Sequence, residues 1–146
     1  MILTFIRHGE TEENKTNRFI GITDSTLNAR GREQVHVTAR HIVHENWKVD
    51  CIFTSHLKRA QETADIFHSY IPSPLVTSEL LRERNYGIFE NRQKALVQNE
   101  YPQLYADYQK NKPFVKLPKG EDAKAVERRM QTFLYQFLPQ ESPTLD

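Results

Sequence analysis

Apolar residues come in short blocks along this chain, and the spacing inside each block indicates an element. "MILTFI" at the start and "VDCIFTS" at 49–55 are continuous apolar runs, the pattern of strands covered on both faces, and "PLVTSELL" gives a third that ends near Glu83. Between them the period becomes helical. Val35, Ala39, Ile42 and Val43 predict an amphipathic helix over residues about 29 to 46 with Asn28 as its N-cap. Ala60, Ala64 and Phe67 predict a second over about 56 to 70, capped by Ser55. "RQKALVQNEYPQLYADYQK" reads as helix in two pieces because Pro102 must break or start one. "KPFVKLPKGED" is a loop, and Val126, Met130, Phe133 and Phe137 mark a last helix from about Asp122, followed by "LPQESPTLD". Strands alternating with helices imply parallel pairing and an α/β fold, here a three-layer α/β/α sandwich. The polar stretch "GETEENKTNRFIGITDSTLN" is a loop long enough to be functional.

The 146 residues suffice for a single domain spanning 1–146. With 20 Lys and Arg against 19 Asp and Glu, no global field points to nucleic acid or to a membrane surface. The start lacks the basic and cleavable segments of a secretory signal, and no apolar run approaches the roughly 20 residues that span a bilayer. The expectation is a soluble, cytoplasmic protein with no nucleic-acid or membrane partner. Cys51 is the single cysteine, so no internal disulfide forms. "RHIVHE" sets His41 and His44 on one helix with Glu45, where a solvated polar face outweighs a metal site for want of further ligands. Tyr101, Tyr105 and Tyr108 sit at near-helical spacing and read as packing groups before they read as a platform for a substrate ring.

Ligands of open α/β sheets bind at the carboxyl ends of the strands. The first run here ends in Arg7 and His8, the second leads through Thr54 and Ser55 to Arg59, and the third gives Glu83. Two guanidinium groups match phosphate oxygens, and Arg59 adds its charge where a helix N-terminus is already positive. A neutral imidazole can attack phosphorus, and a carboxyl held protonated by partial burial and by the phosphate's charge can protonate the leaving oxygen. Gly9 would let the backbone approach the anion. Taken singly, Arg7, Arg59 and Glu83 read as surface ion pairs and His8 as a turn residue. Their joint placement at successive strand ends favours a phosphoryl-transfer site that calls for no metal and no cofactor.

With those residues in hand, the sequence resembles the histidine phosphatase superfamily, which includes the cofactor-dependent phosphoglycerate mutases. "RHGETEENKTNRFIG", "STLNARGREQ", "FTSHLKRAQETA", "LRERNYGIFE" and "LPKGEDAKAVERR" match five of its motifs in order. The resemblance implies a phosphoglycerate mutase-like fold, with His8 as the phosphorylated histidine, Arg7 and Arg59 binding the phosphoryl group and Glu83 as proton donor. It implies that Asn14, Ile20 and Gly21 border the pocket, and that Arg84, Tyr86 and Lys94 stand where mutases contact substrate.

Departures from the family pattern shape the expected activity. The paired arginines of mutases have no equivalent in "YADYQKNKPFVKLPK", which favours a phosphatase acting on a phosphorylated small molecule. His56 replaces a small or acidic residue, and Asp122 replaces a serine that either residue type can match as a helix cap. The family's late strand with a second histidine finds no counterpart before Asp146. The expectation is therefore a fold incomplete at its C-terminal side, with central strands left unpaired unless a longer chain, self-association or strand exchange completes the sheet. A phosphate-binding protein without efficient turnover and a mutase-type phosphotransferase are the rival readings.

Overall fold

The computed structural model describes residues 2–137; Met1 of the first expected strand and the tail at 138–146 lie outside the described residues. A short helix, α1 (Glu12–Lys15), sits inside the expected loop, closed by a capping box between Thr11 and Asn14. Helix α2 (Ala29–His44) starts as its sequence predicts, with the Asn28 side chain accepting from the Gly31 N–H at 2.7 Å. Val35, Ala39 and Ile42 form its buried stripe, while Val43 turns out to solvent.

Strand β1 (Ile52–Thr54) leads into α3 (Lys58–Tyr70) and β2 (Leu75–Thr77). The two strands pair in parallel with Ile52 opposite Leu75 and Thr54 opposite Thr77, so α3 is the crossover that parallel pairing requires. Alternation along β1 separates two faces. Ile52 packs into the cluster that Leu27, Val35, Ala39, Ile42 and Phe67 form between α2 and α3. Phe53 meets Phe133 and Phe137 at ring distances of 5.2 and 5.8 Å. Those two rings belong to the last helix of the described chain, so helices cover both faces of the strand pair.

Past β2, the 3-10 turns Glu79–Leu81 and Gly87–Phe89 carry the chain to α4 (Lys94–Glu100) and α5 (Pro102–Asn111), and α6 (Ala123–Phe137) comes last. Pro102 occupies the opening of α5, where its missing N–H costs nothing. Asp122 caps α6 by accepting from the Ala125 N–H at 2.8 Å. Phe19, Phe89, Val97, Tyr108 and Leu117 form a second buried cluster, against which Tyr86, Tyr101 and Tyr105 pack. The tyrosines of "YPQLYADY" are thus packing groups. No helix among the described residues is long and apolar enough to cross a membrane.

Three expectations are corrected. The third strand does not reach Glu83: β2 stops at Thr77 and Glu79–Leu81 is a 3-10 turn. The first apolar run is not a strand: residues 2–6 are exposed, with Ile2 91% and Phe5 86% accessible, and strand pairing among the described residues is confined to β1 and β2 apart from a single Arg18–Gln93 bridge. Apolar character alone makes no strand, because a strand exists only against a hydrogen-bonded neighbour. Nor does Ser55 cap α3. The helix opens at Lys58 behind Leu57, which offers no side-chain cap. Asp24, reaching across from the loop before α2, takes the Lys58 N–H at 2.8 Å.

Phe89 has no exposed surface, whereas Phe114 is 73% exposed. Phe89→Ala is expected to cost about 3–5 kcal/mol in urea unfolding, and Phe114→Ala to stay within about 0.5 kcal/mol. Equal losses would show that the aromatic cluster is not a packed core.

Candidate active site

His8 lies where the exposed N-terminal segment meets the folded body. Gly9 is buried against α2, and a Cβ built there would come within 2.3 Å of the Gly31 carbonyl oxygen. The glycine is therefore required by packing. The Gly9 N–H donates to Thr63 Oγ1 at 3.3 Å, and that hydroxyl donates to the Arg59 carbonyl at 2.7 Å. The backbone beside His8 is thus tied to the first turn of α3, which carries Arg59.

The imidazole has a defined tautomer. Nδ1 of His8 is 2.7 Å from the Gly9 carbonyl oxygen. A carbonyl only accepts, so Nδ1 carries the hydrogen, and in the neutral ring Nε2 holds the free electron pair. Burial holds the His8 pKa below its ordinary 6.5, helped by the charges of Arg59 and Arg7 and opposed by the Gly9 hydrogen bond and Glu83. The charges of Arg7, Arg59 and Glu83 all bear on the imidazole.

Arg59 is 2% exposed. Its guanidinium donates to the Gly21 carbonyl at 2.6 Å and to the Thr23 carbonyl at 2.9 Å. Burial pushes its pKa down, and Glu83, Glu90, Asp24 and Glu13 offset that loss. Arg7 is exposed and lines, with His8, Glu10, Asn14 and Gln34, a cavity of about 360 Å³. A smaller hollow of about 90 Å³ lies under Ile6, Arg7 and His8 against Val35, Thr38 and Phe67.

Glu83 is exposed, so the partial burial expected of it is absent; its Oε1 accepts from the Arg84 N–H at 2.7 Å. Gly21 stands beside Arg59 through its carbonyl, and Ile20 precedes it, half-buried. Arg84, Tyr86 and Lys94, which the mutase resemblance sets against substrate, each make contacts within the fold. Arg84 is buried, with Nε, Nη1 and Nη2 donating to the carbonyls of Glu121, Pro113 and Val115. Its donors hold the 113–121 segment in place of a ligand. Tyr86 packs on Phe19, and burial beside Tyr108 pushes its phenol pKa up. Lys94 lies over the Phe19 ring at 5.8 Å. Of the other histidines, His36 meets the Tyr70 hydroxyl at 3.1 Å, and His41, His44, His56 and His68 are exposed.

Five residues at the site escape the sequence reading: Glu10 and Gln34 on the cavity wall, and Thr63, Asp24 and Glu90 behind Arg59. Thr63 lies one helical turn beyond Arg59, a spacing that flags a shared face. The other four carry no local signal.

Comparison with known proteins fits this geometry. Residues 3–144 match the histidine phosphatase superfamily (branch 1). The chain is 38% identical over 104 residues to an uncharacterized phosphatase, PhoE, of Bacillus subtilis, covering 68% of this chain and 53% of that protein. It is 33% identical over 129 residues to a probable phosphoglycerate mutase, GpmB, of Yersinia pestis, covering 88% and 59%. A putative alpha-ribazole-5'-P phosphatase from Escherichia coli superposes with a TM-score of 0.77 at 28% identity, over 89% of this chain and 63% of the other. The chain thus spans somewhat over half the length of these curated relatives, and its fold is phosphoglycerate mutase-like. It belongs to the histidine phosphatase superfamily.

The His8 tautomer and pKa can be read directly. Long-range proton–nitrogen NMR at pH 7.5 is expected to place the hydrogen on Nδ1, with a titration midpoint below 6.5. Because the folded pKa lies below the unfolded one, the unfolded chain binds more protons in that window. His8 therefore lowers stability as pH falls from the unfolded value through the folded one. A hydrogen on Nε2, or a midpoint above 6.5, would contradict this site.

Proposed function

We propose that the chain hydrolyses phosphate monoesters through a phosphohistidine at His8. The observation that carries this reading is the bond from His8 Nδ1 to the Gly9 carbonyl, which leaves Nε2 as the electron-pair donor beside two cations. In the first step the Nε2 pair attacks phosphorus, the ester P–O bond breaks, and its electrons go to the leaving oxygen, which takes a proton from Glu83. In the second, water attacks phosphorus and gives a proton to the Glu83 carboxylate. The P–N bond then breaks and its pair returns to Nε2. Arg7 and Arg59 hold the phosphoryl oxygens, with Asn14 on the cavity wall and Gly21 behind Arg59.

The substrate is a phosphorylated small molecule. Phosphatase is favoured over mutase because the paired mutase arginines are missing and Arg84 is engaged with backbone carbonyls. The three-layer α/β/α arrangement is the frame of this reading, with α2 and α3 on one face of β1–β2 and α6 on the other. A second reading, phosphate binding without efficient turnover, is favoured by one observation: the segment leading to His8 is exposed and belongs to no strand.

Incubation with an aryl phosphate separates the two. Turnover with an acid-labile, alkali-stable phosphoprotein, both abolished in His8→Ala, supports the hydrolase; bound phosphate without product supports the second reading. Arg59→Ala is expected to lower kcat/KM about 100-fold or more, since it removes a charged donor from a desolvated anion. Turnover unchanged in His8→Ala would reject the phosphohistidine route.

A further inference from the structure

Glu90, directly after the second 3-10 turn, carries a carboxylate on which five donors converge. Oε2 accepts from the Gly21 N–H and the Thr23 N–H, both at 3.2 Å, and from the Thr23 hydroxyl at 2.6 Å. Oε1 accepts from the Ile22 N–H at 3.1 Å and the Tyr86 N–H at 2.7 Å. A carboxylate offers about four lone-pair sites, so this one is saturated. The N–H groups of residues 21–23 are thereby gathered on one side, and the carbonyls of Gly21 and Thr23 serve the Arg59 guanidinium. Gly21 permits the approach: a Cβ there would lie 2.3 Å from Glu90 Oε1 and 1.9 Å from the Arg84 carbonyl oxygen. Glu90 also ranks behind Glu83 in the electrostatic support of Arg59.

We propose that Glu90 is the positioning residue of the phosphoryl clamp: it shapes loop 21–23 so that two carbonyls fix the plane of Arg59 and turn its remaining donors toward the anion. This role rests on the phosphohistidine reading. Two of the five N–H donors of the guanidinium are held by the loop, which sets the direction of the others. Because its oxygens are saturated, Glu90 supplies this order without presenting a free carboxylate to a phosphate.

The test is orthovanadate binding to the full chain, by calorimetry, in a double-mutant cycle. Glu90→Gln keeps the shape but sets an NH2 group against backbone N–H donors. It is expected to weaken vanadate about tenfold in the wild-type background and less than about twofold in Arg59→Ala, because Glu90 acts through Arg59. Thr23→Val, which removes one of the five bonds and leaves the loop backbone intact, is expected to weaken vanadate about threefold with the same dependence on Arg59. It decides the matter should Glu90→Gln fail to fold. Additive losses in the two backgrounds, or wild-type affinity in folded Glu90→Gln or in Thr23→Val, overturn the proposal alone. Failure of the wild-type chain to bind vanadate overturns the phosphohistidine reading, and this proposal with it.

Discussion

Arg59 keeps its charge with 2% of its surface in contact with water, and removing a cation from water costs several kcal/mol unless other groups replace its hydration. That cost explains the arrangement around it. Two loop carbonyls take guanidinium hydrogens, and Glu83, Glu90, Asp24 and Glu13 supply the opposing charge. None of the four carboxylates lies closer along the chain to Arg59 than Glu83. Folding must therefore bring the loop before α2 and the turn after β2 to the start of α3. At His8 burial lowers the imidazole pKa, the charges of Arg59 and Arg7 lower it further, and Glu83 works against them.

Much of this was legible in the sequence where the signal is local. The Asn28 cap, the Val35–Ala39–Ile42 stripe and the break at Pro102 each depend on neighbours within a turn or two, and each appears in the fold. The expected grouping of His8 with Arg7, Arg59 and Glu83 assumed three strand ends, whereas the described residues form two strands, and neither His8 nor Glu83 ends one. The features that were not legible depend on distant partners. Residues 2–6 have strand composition without a strand beside them. Asp24 caps a helix 34 positions away, and Glu90 holds a loop 67 to 69 positions away. No periodicity encodes such contacts.

Arg84 shows how a matched motif can serve structure rather than ligand. Its three donating nitrogens engage the carbonyls of Glu121, Pro113 and Val115. Glu121 in turn accepts from Arg82 and from the Asn85 N–H, and its carboxylate lies 3.5 Å from Arg129 on α6. The residues on both sides of Glu83 are thus pinned to the 113–121 segment. The backbone that carries the exposed Glu83 carboxyl is held on both sides. Glu121 of the late "GED" motif therefore fixes the turn from which Glu83 projects.

His8 occupies a boundary. On its C-terminal side the chain is secured: Gly9 packs on Gly31 and bonds Thr63, and Glu10 exchanges backbone and side-chain bonds with Asn28 and Gln34. On its N-terminal side residues 2–6 are exposed. Among the described residues, the contacts that anchor the backbone beside His8 lie on its C-terminal side. Its own hydrogen bond belongs to that half, because Nδ1 donates to the carbonyl of Gly9, which packs against Gly31 of α2. The bond that leaves Nε2 free is thus made to a residue held against α2 and α3. Arg7, one residue earlier, has no such anchor and is exposed. Of the two cations proposed to hold the phosphoryl group, Arg59 is already held by loop carbonyls, so in that proposal the ordering entropy on binding would fall on exposed Arg7.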